Sequence, residues 1–368
     1  QVTMSSPDTA DDQRLITGAE ALREAMDQCM AADERVFLMG EGAADPKGIF
    51  GTTSGLVETY GPDRVIEMPV AENGLTGIAI GAALMGRRPV MVHQRVDFAL
   101  LALEQIFNNA AKAHYVTAGK HTVPLVIRMI IGRGWGQGPE HSQSLESVFA
   151  HFPGLKVVLP STPRDAKGML VAAVRDDNPV VMLEHRWTHY TTGDVPEKLY
   201  ETPLSGPSHV RKGSDVTIVA TSYMTYEARA AVDAMKAAGV SADLFDMRVL
   251  QPLDLAPVVE SVRRTGRLIM ADVGWKSFGA GAEIVATVVE QAFADMKAAP
   301  VRLGLPDHPT PSSRSLVPDF YPYSGDIVAA TANIMGAADR LGPVVAALAE
   351  ARAQRPIDVP NPDFKGPF

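Results

Sequence analysis

Along the first half of the chain, short apolar runs alternate with stretches of helical spacing. The runs cover 36–40, 64–69, 89–93, 124–131, 156–160 and 179–184 and are rich in Val and Ile. They are apolar almost throughout, as strands covered on both faces of a parallel sheet are. Between them, 98–117 sets Leu100, Leu101, Leu103, Ile106 and Phe107 at helical positions, and a second helix is predicted over 165–175, with Asp165 near its start. Strand and helix in repeated alternation predict a doubly wound sheet. From about 190 to 213 the pattern lapses into TTGDVPEK and TPLSGPSHVRKGSD, where Gly, Pro, Ser and charge mark a linker. A second alternation follows, with strands at 215–221, 242–247, 267–273 and 301–305 and helices at 225–238, 253–264 and 279–296. A last helix over 343–353, with Pro343 in its first turn, leads to an extended Pro-rich end, PIDVPNPDFKGPF, since proline is tolerated where a helix begins. The expected fold is α/β, with two doubly wound parallel-sheet domains at 1–195 and 214–335, a linker at 196–213, and a terminal helix and tail at 336–368.

Composition narrows the class. A length of 368 residues suits two domains, each long enough to bury a core. The net charge of −9 argues against nucleic-acid binding or a basic membrane surface. Cys29 is the only cysteine, so no intrachain disulfide and no site built on several thiolates can form, which fits a reducing compartment. The apolar stretch 75–85 falls short of the roughly 20 residues a membrane span needs, and the start QVTMSSPDTADD is unlike a secretory or transit peptide. These features point to a cytoplasmic α/β enzyme acting on a small molecule.

Candidate chemistry gathers where loops leave strand ends, the place where open α/β sheets bind ligands. In PVAENGLTG, residues 69–77, an apolar run delivers Glu72 just before a helix of small residues. A glutamate there suggests that something nearby needs a proton or a negative charge. His93, Gln94 and Arg95 with Asp97 follow the next run, and GRGWGQGPEHSQS spans 132–144. That loop matches neither a P-loop nor a dinucleotide fingerprint; its glycines allow close approach to a ligand or simple mobility. His141, flanked by Glu140, Ser142 and Gln143 before a helix at 145–152, reads as a partly exposed site histidine able to move protons; a capping or core role is the alternative. The residues mark no metal site, and GxSxG, HExxH and CxxC are missing, which weakens hydrolase and zinc readings. Read bare, the chain is an α/β ligand-binding enzyme with acid–base chemistry.

A family resemblance covers nearly the whole chain. It rests on VFLMGEG, GIFGTTSGLVETYGPDRV, PVAENGLTGIAIGAALMGRRPVM, DFALLALEQIFNNAAKAHYVTAGK, VPLVIR, HSQSLESVFAHFPGLKVVLPSTPRDAKGMLVAAVRDDNPVVMLEH, DVTIVATSYM, RVLQPLD and TGRLIMADVGWKSFGAGAEI, in that order. The chain resembles the β chain of the thiamine-diphosphate-dependent 2-oxoacid dehydrogenases, the decarboxylating component, which shares its two domains with transketolase. The resemblance implies that Glu72 hydrogen-bonds the aminopyrimidine ring of thiamine diphosphate, that Phe98 packs against that ring, and that His141 stands beside the substrate. A carboxylate sharing a proton with that ring would favour the imino tautomer, whose nitrogen can take the thiazolium proton.

The family holds the diphosphate and Mg²⁺ through a GDG motif that this sequence lacks. The implied partner is therefore an α subunit carrying that motif and most of the metal's ligands, in an α2β2 assembly, with a lipoyl acyltransferase core as a further partner. The second domain is expected to dimerise. Where common family members are acidic or uncharged, this chain reads MVHQRVDF. His93, Arg95 and Arg133 thus suggest an anionic or polyhydroxylated substrate, since Arg reads carboxylate or phosphate bidentately; a contact to the α chain or a surface carboxylate is the other reading. The expected function is decarboxylation of a 2-oxoacid and passage of the acyl group to an acceptor such as a lipoyl arm. The alternative is the β subunit of a two-chain transketolase or acyloin-forming transferase acting on a sugar-like substrate. A scaffold without catalysis is disfavoured by the presence of both Glu72 and His141.

Overall fold

The predicted apolar runs assemble into two sheets in the computed structural model, which describes residues 14–133 and 136–356. The first sheet has seven strands in the order Val249–Gln251, Lys156–Val158, Val180–His185, Val126–Ile131, Arg88–His93, Val36–Gly40 and Val65–Glu67. All pairings are parallel except that of Val249–Gln251 with Lys156–Val158. Val126–Ile131 and Val180–His185 are buried at every position, as helices on both faces require. The second sheet runs Val301–Leu305, Leu268–Trp275, Val216–Ala220, Ala242–Asp246 and Ser208–Arg211. Its first four strands are parallel, and Ser208–Arg211, which lies within the stretch read as linker, closes the edge antiparallel.

Several elements differ from their predicted form. Helix Gly18–Ala32, which the strand–helix reading passed over, opens with a capping box between Thr17 and Glu20 and packs on Pro163–Arg175, a sequence signature in its own right. The stretch 98–117 is not one α-helix: it comprises Val96–Ala99, a 3₁₀ turn at Leu100–Ala102, a π-helical turn at Gln105–Ala110 and Ala113–Val116. The wider π turn lets Ile106, Phe107 and Ala110 all face the core, and the Asn109 amide bonds back to the Gln105 side chain at 2.9 Å. The strand at 64–69 stops at Glu67 because that side chain turns to the loop, accepting from the N–H groups of Gly42 at 2.6 Å and Ala44 at 3.0 Å. The last helix starts earlier, at Ala338, so Pro343 stands inside it. Only Leu341 of that helix is buried, and a helix so exposed can give the orphaned carbonyl to water. The Pro-rich tail from 357 onward lies outside the described residues.

The two halves are stitched together. Val249–Gln251 extends the first sheet although the chain before and after it builds the second. Leu159 N–H donates to Arg248 O at 2.7 Å, Arg248 pairs with Asp165 at 2.7 Å, and Tyr226 Oη donates to Ser161 O at 2.9 Å. One apolar core runs from Phe37 in the first half to Leu341 in the second. Among the described residues no helix is long and apolar enough to cross a membrane.

Candidate active site

Glu72 is the first residue of helix Glu72–Leu84 and only 4% exposed. Its carboxylate sits where unpaired backbone N–H groups and the helix dipole favour negative charge. Thr76, one turn on, donates from Oγ1 to Glu72 O at 2.7 Å and touches Met91 Sδ at 3.3 Å, which seats this helix along strand Arg88–His93. Among the described residues nothing within the chain donates to the Glu72 carboxylate. Glu41, at the end of the neighbouring strand Val36–Gly40, is raised above the usual carboxyl range by burial and then by the charges of Glu72 and Glu67. A second acid therefore flanks Glu72. Sequence reasoning missed it, although it stands inside the quoted VFLMGEG.

Phe98 and His141 meet. Their rings lie edge to face with centroids 5.1 Å apart at 89°, the arrangement that aligns a ring edge with a π face. Asp97, next to Phe98, accepts from Gln143 Nε2 at 2.8 Å, so one short helix holds both sides of His141. Arg95 Nη1 donates to Gly132 O at 3.2 Å and Nη2 to the Gln137 side chain. Arg95 thus ties both ends of the loop that leads to His141. Burial, with Arg186 beside it, pushes Arg95 down to about 10.

His93 is buried, and burial alone pushes it down to about 4. It is neutral at physiological pH, and among the described residues its Nε2 has no hydrogen-bond partner. The Arg133 guanidinium lies 3.7 Å from the Trp187 ring centroid and 4.2 Å from that of Tyr321. Among the described residues its Nη1 has no hydrogen-bond partner. Trp135, on the same loop, is outside the described residues.

Behind this rim lies a charged network within the sheet. Arg128 donates to Glu184 at 2.5 and 3.0 Å, and His189 Nε2 lies 2.8 Å from Glu184. Burial opposes ionisation of Glu184, yet Arg128 and His189 outweigh it and hold the carboxyl at about 2. Alternation in the sequence could not reveal this network, because both charges sit inside runs that read as core strand.

The sheets and their stitching define a transketolase-like chain. Residues 15–189 match the transketolase pyrimidine-binding domain, and 208–327 match the transketolase C-terminal domain. A solved split-gene transketolase, described as an inactive β4 tetramer, shares the fold at a TM-score of 0.69 and 22% identity, over 87% of this chain and 98% of that one. The β-2 subunit of the mitochondrial pyruvate dehydrogenase E1 component of Oryza sativa subsp. japonica is 40% identical over 319 residues, 86% of this chain and 85% of that protein. The corresponding β subunit of Rickettsia felis is 38% identical over 87% of this chain and 98% of its own length. The β subunit of acetoin:2,6-dichlorophenolindophenol oxidoreductase from Cupriavidus necator is 39% identical over 86% and 96%. The chain belongs to the family of β subunits of the E1 component of 2-oxoacid dehydrogenases.

Proposed function

We propose that this chain is the β subunit of a thiamine-diphosphate-dependent 2-oxoacid dehydrogenase-type enzyme. It would remove CO₂ from a 2-oxoacid and pass the acyl group to an acceptor such as a lipoyl arm. The observation that carries this reading is Glu72, a buried carboxylate at a helix start to which nothing among the described residues donates, on a helix packed against the short helix that carries Phe98. Such a group is costly unless a ligand or partner completes it. An aminopyrimidine nitrogen fits, because it can share a proton with a carboxylate, and the Phe98 ring supplies an apolar face for the heterocycle.

When bound, thiamine diphosphate supplies the carbanion-stabilising centre. Glu72 holds a proton at its carboxylate facing the pyrimidine, and its burial excludes water that would compete for that proton. Glu41, raised by burial and then by the charge of Glu72, places a second acid beside it. His141, oriented by the Phe98 edge and the Asp97–Gln143 bond, handles protons at the substrate. We assign His93, Arg95 and Arg133 selection of an anionic or polyhydroxylated substrate, a reading supported by the Arg95 bonds to the loop that leads to His141.

The α subunit would hold the diphosphate and Mg²⁺, in an α2β2 assembly that can dock on a lipoyl acyltransferase core. Exposed apolar side chains on the helices flanking the site support such a partner: Ile78, Leu84 and Met85, with Leu101, Tyr115 and Val116, form the kind of face that a partner covers. The test is co-expression with an α chain bearing the diphosphate motif, loading with thiamine diphosphate and Mg²⁺, and measurement of CO₂ release from a panel of 2-oxoacids with an artificial electron acceptor. Release is expected. A cofactor-loaded complex that releases none, but consumes an acyloin or ketose, would replace this reading with the transferase one.

A further inference from the structure

The segment that carries His141 runs on to Glu146, the first residue of helix Glu146–Ala150. Glu146 is 0% exposed, and among the described residues no side chain donates to either of its carboxyl oxygens. An ionised carboxylate so placed is expensive. What faces it, within hydrogen-bonding reach, is a second acid, Asp272, on strand Leu268–Trp275 of the other sheet. Burial first, and then the charge of Asp272, push Glu146 well above the usual carboxyl range.

Asp272 is amply supplied with donors. Thr221 Oγ1 at 2.7 Å and Gly274 N–H at 3.4 Å reach Oδ1, and Gly281 N–H at 2.9 Å reaches Oδ2. The surrounding chain makes room for the two carboxyls. A Cβ on Gly274 would stand 2.1 Å from Glu146 Oε1, and one on Gly279 or Gly281 would stand 3.4 Å from Asp272 Oδ2. Gly274 is thereby explained, whereas a Cβ on Gly279 or Gly281 would first meet Trp275 O at 2.0 Å or Met270 Cγ at 3.0 Å.

Of the other charged groups on the packed elements, Lys156 pairs with Asp176 and Glu283 accepts from Thr287. His151 ends the same helix, Glu283 lies on the packed helix Ala280–Ala292, Lys156 lies on the adjoining strand, and Lys276 follows Asp272 in an exposed loop. None of these is among the charges acting on Glu146.

We propose that Glu146 keeps its proton and donates it in a hydrogen bond to the Asp272 carboxylate, an acid–carboxylate latch that fixes the His141 segment to the second sheet. Glu146 is thus a positioning residue, and its consequence for turnover rests on the role given to His141 above. A carboxyl raised on folding is proton-bound in the native state when the unfolded chain has already released its proton. The latch therefore contributes fully at acid pH and is lost as pH climbs from the ordinary carboxyl value through the folded one.

The experiment compares the full chain with E146Q and E146A across a range of pH from acid to alkaline. It reads melting temperature and backbone hydrogen exchange of the segment from His141 to Glu146, corrected for intrinsic rates. Gln keeps the shape and offers an N–H donor. The expected result is that E146Q holds the wild-type melting temperature at neutral pH but lacks the wild-type decline toward alkaline pH, while E146A melts lower throughout. Exchange in the segment should quicken with pH in the wild type and not in E146Q. Asp246, pushed up to about 7, titrates in all three proteins and cancels in the differences. Parallel pH declines in wild type and E146Q, or E146Q as damaged as E146A, would overturn the latch. If the latch behaves as expected while the His141→Ala enzyme, assembled with its α chain, keeps full rate, the latch stands and the role of His141 falls.

Discussion

A single residue's surroundings decide much of what this chain can do. Gly132 has φ +80°, and a Cβ there would lie 2.2 Å from the His185 ring. Gly132→Ala is therefore expected to cost about 2 kcal/mol or more, from strain and the displaced ring, seen as a lowered denaturation midpoint. Arg133 is a planar cation lying over the rings of Trp187 and Tyr321. Arg133→Lys keeps the charge but not the stacking plane and should cost about 2 kcal/mol; an unchanged midpoint would show that the stack contributes nothing. The approach of Phe98 to His141 was legible only as two family positions, since 43 residues of numbering separate them and no periodicity relates a short helix to a distant loop. Glu41 follows an apolar run as Glu72 does, but its acid neighbours became visible only in the structure.

At the scale of elements, the long apolar strands were readable because burial on both faces leaves them without alternation. Elements held by tertiary contacts were not. Val249–Gln251 is too short to register as a strand, and Ser208–Arg211 hides among turn-forming residues; each exists because a sheet edge offers its hydrogen bonds. Arg128 and Glu184 lie on adjacent strands and His189 in the turn after the second, and their charges give no sign in sequence of facing one another. Glu184→Gln leaves Arg128 buried without its counter-charge and should destabilise by about 3–5 kcal/mol. Because folding depresses Glu184 to about 2, its contribution is present above the ordinary carboxyl value and is lost as pH falls from about 4.5 toward about 2. Chemical denaturation across that range should show a shallower acid loss for Glu184→Gln than for the wild type.

Over the whole molecule, the shared core and the crossed strand couple the two halves. Asp246 in the second sheet accepts from Ser161 in the first half and from Thr225 at 2.9 Å. Burial outweighs those bonds and pushes it up to about 7. Stability from this group is full at acid pH and declines as pH rises from about 4 to about 7, so Asp246→Asn should flatten the wild-type melting curve over that interval. The proposal of a second chain comes from the missing diphosphate motif in the sequence; the exposed Ile78, Met85 and Leu101, visible only in the structure, support it. Ile78→Arg with Leu101→Glu should weaken capture of the α chain while leaving the melting temperature of this chain unchanged, and undiminished capture would place the partner elsewhere.

The most direct test of the central claim is the exchange of the thiazolium C2 hydrogen of bound thiamine diphosphate for deuterium, followed in the assembled enzyme with Glu72 and with Glu72→Gln. The account predicts that the substitution leaves assembly and cofactor binding intact and slows exchange by about 10²–10⁴-fold, the range of a lost acid–base group. Exchange at the wild-type rate in a loaded Glu72→Gln complex would contradict it.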